Sequence, residues 1–155
     1  MPTLYITGNG PDGRSRIVET RELDPANPPV VPFASTKALP DLVKCKTDAK
    51  LLVSHTPPGT YRTTIFPWRP GMYTDPHRTI SVDVDVVLEG SVIMGLEEGQ
   101  VTLRKGDVAV LPGTVHTWRA TDETALVLYT IQAAEWSAED LATATVTSDS
   151  IIHGR

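Results

Sequence analysis

The chain holds one cysteine, Cys45, so no internal disulfide can staple it. That excludes a small disulfide scaffold and makes a reducing compartment, the cytoplasm, the expected location. Long apolar runs are also missing: none approaches the ~20 residues that a membrane helix needs, so no membrane is expected as a partner. The opening Met1–Ile6 has no basic stretch ahead of an apolar one, and no secretory leader is expected. Positive charge is sparse. Fourteen Lys and Arg against nineteen Asp and Glu leave a net charge of −5, and the basic pair Arg104–Lys105 stands isolated. A nucleic-acid partner would want a basic stripe, and none is present. There is no internal repeat and no low-complexity segment.

What the chain does have is punctuation. Thirteen prolines and eleven glycines in 155 residues imply many turns in one domain. Leu4–Thr7 and Ser15–Glu19 read as strands around an Asn9–Gly13 turn. Asp24–Pro32 is proline-rich and reads as an extended connector, and Lys37–Lys44 as a short helical turn. From Lys50 the pattern is all-β. Strands are expected over Lys50–Ser54, Thr60–Phe66, Thr79–Leu88, Ser91–Leu96, Gln100–Arg104, Val108–Leu111, His116–Arg119 and Ala125–Gln132. Gly- and Pro-containing turns separate them, as in a sandwich or closed barrel. Ser137 can cap a short helix running to Ala144, with Glu139 and Asp140 in its first turn. The expected organisation is an arm over 1–48, a barrel over 49–134 and a helix with a tail over 135–155.

The segment from His77 to Leu88 carries the chemistry. Side chains alternate between the two faces of a strand. One face therefore holds His77, Thr79, Ser81, Asp83 and Asp85, and the other holds Arg78, Ile80, Val82, Val84 and Val86. An ordinary surface strand would show its polar face to water. The alternative is a polar face turned into the barrel. His116 and Trp118 support that alternative, since they share one face of a later strand, as pocket-lining residues do.

These residues and their spacing resemble the cupin family. Gly71, five residues, His77, one residue, Thr79, three residues, Asp83, six residues and Gly90 follow the first motif. Gly106, five residues and Pro112 follow the second, whose turn to His116 is one residue short; Ala120 stands where asparagine is usual. The resemblance implies a double-stranded β-helix, a jelly-roll barrel. The chain is also similar to a small-cupin subgroup that often accompanies polyketide and secondary-metabolite pathways. Its marks are Thr7-Gly8-Asn9, His77-Arg78-Thr79, Gly106-Asp107-Val108 and the run from Gly113 to Arg119.

Typical cupins hold a divalent metal with three histidines and a glutamate. Here Thr79 replaces one histidine and Asp83 the glutamate. The resemblance therefore implies a depleted ligand set, His77, Asp83 and His116, of the two-histidine, one-carboxylate kind that suits Fe, Zn or Mn. Asp85 is a substitute ligand or a second acid. The favoured expectation is a metal-dependent enzyme on a polyketide-like or aromatic metabolite. It would run a non-redox dehydration, cyclisation or isomerisation through a polarised carbonyl, with Asp85 or Thr79 assisting proton transfer. The alternatives are an Fe(II)- and O2-dependent oxidase or dioxygenase, a metal-free His/Asp acid–base isomerase, and a ligand-binding barrel without catalysis.

Phe66, Trp68, Met72, Tyr73 and Trp118 can frame a pocket mouth or be plain core. Arg62 and Arg69 can meet a substrate carboxylate or lie on the surface. His55 and His153 read as a loop and a tail histidine. With the polar face inside, Ile80, Val82, Val84 and Val86 point outward and need cover by a second sheet or a second subunit, so a homodimer through this face or the N-terminal strands is expected.

Overall fold

The computed structural model describes residues 1–23, 50–52, 61–133, 138, 144–145 and 151–154. The expected Pro-rich connector, the 37–44 turn, His55 and most of the 137–144 helix lie outside these residues. Strands dominate: β1 Thr3–Asn9, β2 Ser15–Glu22, β3 Lys50–Leu52, β4 Tyr61–Trp68, β5 Tyr73–Thr74, β6 His77–Thr79 and β7 Ser81–Glu89. They continue as β8 Ser91–Leu96, β9 Gln100–Arg104, β10 Val108–Pro112, β11 His116–Ala120, β12 Ala125–Ala133, β13 Ala144–Thr145 and β14 Ile152–His153. Among the described residues no helix is long and apolar enough to cross a membrane.

Two sheets face each other. One runs β2-β1-β10-β7-β12-β4; the other runs β13-β3-β6-β11-β5-β14, with β8 on the far edge of β11 and β9 beyond it. The order interleaves distant parts of the chain, as a jelly roll requires. The core lies between the sheets, with Trp68, Met72, Val87, Val92, Met94, Leu103, Leu111, Trp118 and Val127 all buried.

The structure corrects the expected strand over Thr79–Leu88. The chain bends at Ile80, so that β6 joins one sheet and β7 the other. Strands that change sheets at a corner do so through such a bend. Ile80 is buried at that corner and takes no part in an outward face. Only Val82, Val84 and Val86 of the expected set point outward, each half-buried. The strand expected to stop at Phe66 continues through Pro67 to Trp68. Proline is tolerated there because β4 is the edge of its sheet.

Candidate active site

Three rows of side chains cross the inner face of the first sheet. Residues paired across strands share a face, so the register lays them out. In the first row Asp83 stands between Leu111 of β10 and Ile131 of β12, with Arg62 of β4 beyond. In the second, Asp85 stands between Ala109 and Tyr129, with Thr64 beyond. In the third, Val87 is followed by Val127 and Phe66. The floor of the barrel thus passes from acidic to aromatic within five residues of β7. Ser81, Asp83, Asp85 and Val87 are all buried, which settles the direction of the polar face: it looks inward.

Asp83 and Asp85 differ sharply in their surroundings. Asp83 accepts a short hydrogen bond from Ser81 Oγ at Oδ1, and one from Thr79 Oγ1 at Oδ2, 3.1 Å long. Burial still pushes its pKa up to about 6, against the pull of the two hydroxyls. Among the described residues, neither oxygen of Asp85 has a hydrogen-bond partner. Burial first, and the neighbouring Asp83 carboxylate second, raise its pKa well above the usual carboxylate range. Both carboxyls are thus pushed upward, Asp83 against the pull of two hydroxyls and Asp85 with no hydroxyl to oppose the push.

The opposite sheet supplies the histidines. His77 and His116 are register partners on β6 and β11, with ring centroids 4.4 Å apart. Each is oriented in the same way. His77 Nδ1 donates to the Asp75 carbonyl at 2.8 Å, and His116 Nδ1 donates to the Thr114 carbonyl at 2.9 Å. A carbonyl can only accept, so each ring carries a proton on Nδ1. Burial, with help from His77, depresses His116 to a pKa of about 3, so it stays neutral. The Thr114 turn is itself pinned: Thr114 Oγ1 lies 2.8 Å from Thr7 Oγ1 of β1, which also donates to the Val110 carbonyl.

Aromatic side chains close the far end. Trp68 Nε1 donates to the Tyr129 hydroxyl at 2.7 Å, and Trp118 meets the Tyr129 ring edge-on at 5.5 Å. Phe66 packs edge-on against Trp68 at 5.3 Å. Burial of the Tyr129 hydroxyl, reinforced by the Asp85 charge, raises its pKa well above the usual phenol value. Sequence reasoning missed Tyr129, although its parity with Ala125 and Val127 on β12 places it on the buried face. It also missed Ser81 as a donor to Asp83.

Three expectations need correction. Tyr73 does not line the interior: it is exposed and stacks on His153 at 4.7 Å. His153, read as a tail residue, is in fact part of β14. The expected metal set is not assembled either. His77 and His116 come together, but among the described residues no three His, Cys, Asp or Glu side chains converge as a group that could hold a metal ion. His77 on β6 belongs to the second sheet and Asp83 on β7 to the first, where Ser81 and Thr79 each donate to one Asp83 oxygen. Arg62 lies half-buried on the inner face, its Nε donating to Thr64 Oγ1 at 2.9 Å.

No family model matches the chain. The phomopsin biosynthesis cluster protein D of Diaporthe leptostromiformis is 40% identical over 87 residues, 50% of this chain and 46% of that protein. The chain thus spans less than half the length of that relative. A cupin-domain-containing oxidoreductase, srdB of Neurospora crassa, is 29% identical over 146 residues, 84% of this chain and 72% of that one. Among solved structures, a cupin 2 conserved barrel domain protein from Leptotrichia buccalis is 25% identical, covering 52% of this chain and 38% of its own, with a TM-score of 0.46.

Proposed function

From the premise that the chain is a small cupin barrel with relatives in biosynthesis clusters, we propose that it is a proton-transfer enzyme of secondary metabolism. The reaction class is non-redox isomerisation, cyclisation or dehydration of a polyketide-like or aromatic carbonyl compound. The observation that carries this is the buried, unpartnered carboxyl of Asp85 beside the hydrogen-bonded carboxylate of Asp83. A buried polar group with no partner is costly, and a substrate oxygen is a partner it can take.

The roles follow from the two environments. A pair of acids whose surroundings push their pKa values apart divides into a base and an acid. Asp83 removes a proton from the carbon next to the substrate carbonyl. The electron pair moves onto the carbonyl oxygen, which the Asp85 O–H stabilises by hydrogen bonding. Return of the proton from Asp83 to a different carbon completes an isomerisation. Their Cα atoms are about 6.6 Å apart by strand geometry, the scale of an enolisable carbonyl unit. Trp68 and Trp118 belong to the buried core, and the partly buried Phe66 and Tyr129 packed against it are the rings that can meet a planar substrate. No step runs through a metal, because the ligand set does not converge.

The test is hydrogen exchange. A panel of cyclic and aryl ketones is incubated in D2O with the protein and followed by NMR. Wild type is expected to exchange the α-protons of at least one compound, D83N to lose that exchange, and D85N to slow it by ~100-fold, the scale of one oxyanion donor. A panel on which D83N exchanges as fast as wild type would sink the reading. The Neurospora relative's name supports a second reading, an oxidation. Oxygen uptake in step with product formation would favour it.

A further inference from the structure

Each site histidine is aimed by the carbonyl two residues before it, so whatever fixes that carbonyl fixes the histidine. For His116 the fixing group is Thr7, reaching the Thr114 side chain from β1. For His77 the corresponding residue is Asp75. Its backbone N–H donates to the Ile151 carbonyl at 3.0 Å, and its Oδ1 meets His153 Nε2 at 3.1 Å. Both partners come from β14 and the residue before it, more than seventy positions away in sequence.

We infer that His153 is a positioning residue for His77, acting through Asp75. β14 is built to hold this contact. It pairs with β5, Ile152 opposite Thr74 and His153 opposite Tyr73. Ile151 is fully buried as the anchor, at 1% exposure. The His153 ring lies flat on Tyr73, which fixes its plane and directs Nε2 at Asp75. Gly154 follows at φ +75° against the Gly71 carbonyl, where a Cβ would come within 2.3 Å of that oxygen. Only glycine lets the chain pass there. Thr74, between Tyr73 and Asp75, accepts from the Trp118 backbone N–H at 2.8 Å. The turn from Tyr73 to His77 is thus held by β11 on one side and β14 on the other.

The inference rests on the reading of His77 as a site residue, but its test does not depend on turnover. Protein labelled with 15N gives histidine ring spectra that report which nitrogen carries the proton. His77 and His116 are both expected as single Nδ1–H tautomers in wild type. His153→Phe keeps the stack on Tyr73 and removes the hydrogen bond. It is expected to cost His77 its single tautomer and leave His116 unchanged. His153→Gln, whose amide N–H reaches as Nε2 does, is expected to restore the wild-type His77 signal. An unchanged His77 in His153→Phe would overturn the inference, as would equal shifts at His77 and His116, which mark a general loosening. Asp75→Ala removes the same contact from the other side. It carries the same expectations should His153→Phe not fold. Failure of the ketone exchange with these spectra intact would count against the proposed reaction and not against the positioning role.

Discussion

Asp83 and Asp85 lie two residues apart on one face of β7, yet Asp83 accepts hydrogen bonds from two hydroxyls while Asp85 accepts none from the described residues. Both are buried, at 3% and 2% exposure, so the contrast comes from hydrogen bonding and not from access to water. It is the asymmetry that a proton-transfer site needs, and it has consequences for stability that can be measured without a substrate.

The first consequence concerns Asp83. Its carboxyl titrates at about 6 in the folded chain, against 3.8 unfolded. The unfolded chain gives up the proton first as pH rises, so the folded state loses stability between about pH 4 and 6 and not outside that window. About two pKa units at ~1.4 kcal/mol each make the loss on the order of 3 kcal/mol. Asp83→Asn mimics the neutral acid and escapes it. Urea unfolding is expected to show the variant close to wild type at pH 4 and more stable by a few kcal/mol at pH 7. Equal differences at the two pH values would contradict the burial of a titrating Asp83.

His116 works in the opposite direction. Its folded pKa is depressed to about 3 from 6.5, so the neutral ring stabilises the fold above pH 6.5 and the contribution is lost as pH falls toward 3. Between pH 6.5 and 4 the loss is on the order of 3 kcal/mol. His116→Asn keeps an N–H for the Thr114 carbonyl and cannot take up the proton. The variant is expected to be less stable than wild type at pH 7, through lost packing. Its stability should fall less between pH 6.5 and 4. A parallel fall in both proteins would show that His116 is not held neutral.

The barrel was legible because its signals are local. Gly90, Gly99 and Gly106 all have positive φ at turns between strands, and the sequence spaces them as a meander does. Alternation from Ser81 to Val87 is equally local, and it correctly paired Asp83 with Asp85. What the sequence hid depends on where strands go. The bend at Ile80 breaks an unbroken period-two pattern, so the pattern joined His77 and Asp83 on one face, and the common metal came from the family resemblance. β5 and β14 have two residues each, too few for any periodicity. The contact of His153 with Asp75 spans 78 positions and carries no local sign.

The lack of a converging ligand group among the described residues predicts the effect of chelation. A structural ion that held β6 to β7 would stabilise the fold by its binding energy, and removing it would lower the melting temperature by many degrees. Dialysis against EDTA is expected to leave the melting temperature of wild type unchanged, and His77→Ala to melt at the same temperature with and without added Zn, Mn or Fe(II). A rise of several degrees on adding one of these ions to wild type, absent in His77→Ala, would show that Asp83 leaves Ser81 and Thr79 to complete a site.

The outer face of the first sheet predicts an oligomer. Ile65 on β4 and Leu126 on β12 are exposed at 58% and 39%, and Leu88 on β7 at 37%. Leu128 pairs with both Ile65 and Val86, which joins these residues and Val84 into one apolar surface across three strands. A surface of β-branched and leucine side chains on an antiparallel sheet gains by burial at roughly 25 cal/mol per Å², and a second copy of the same face is self-complementary under twofold symmetry. Light scattering at micromolar concentration is expected to give twice the monomer mass, and Ile65→Glu with Leu126→Lys to give the monomer with an unchanged near-UV spectrum. Monomeric wild type across this range would leave the face uncovered and refute the assignment.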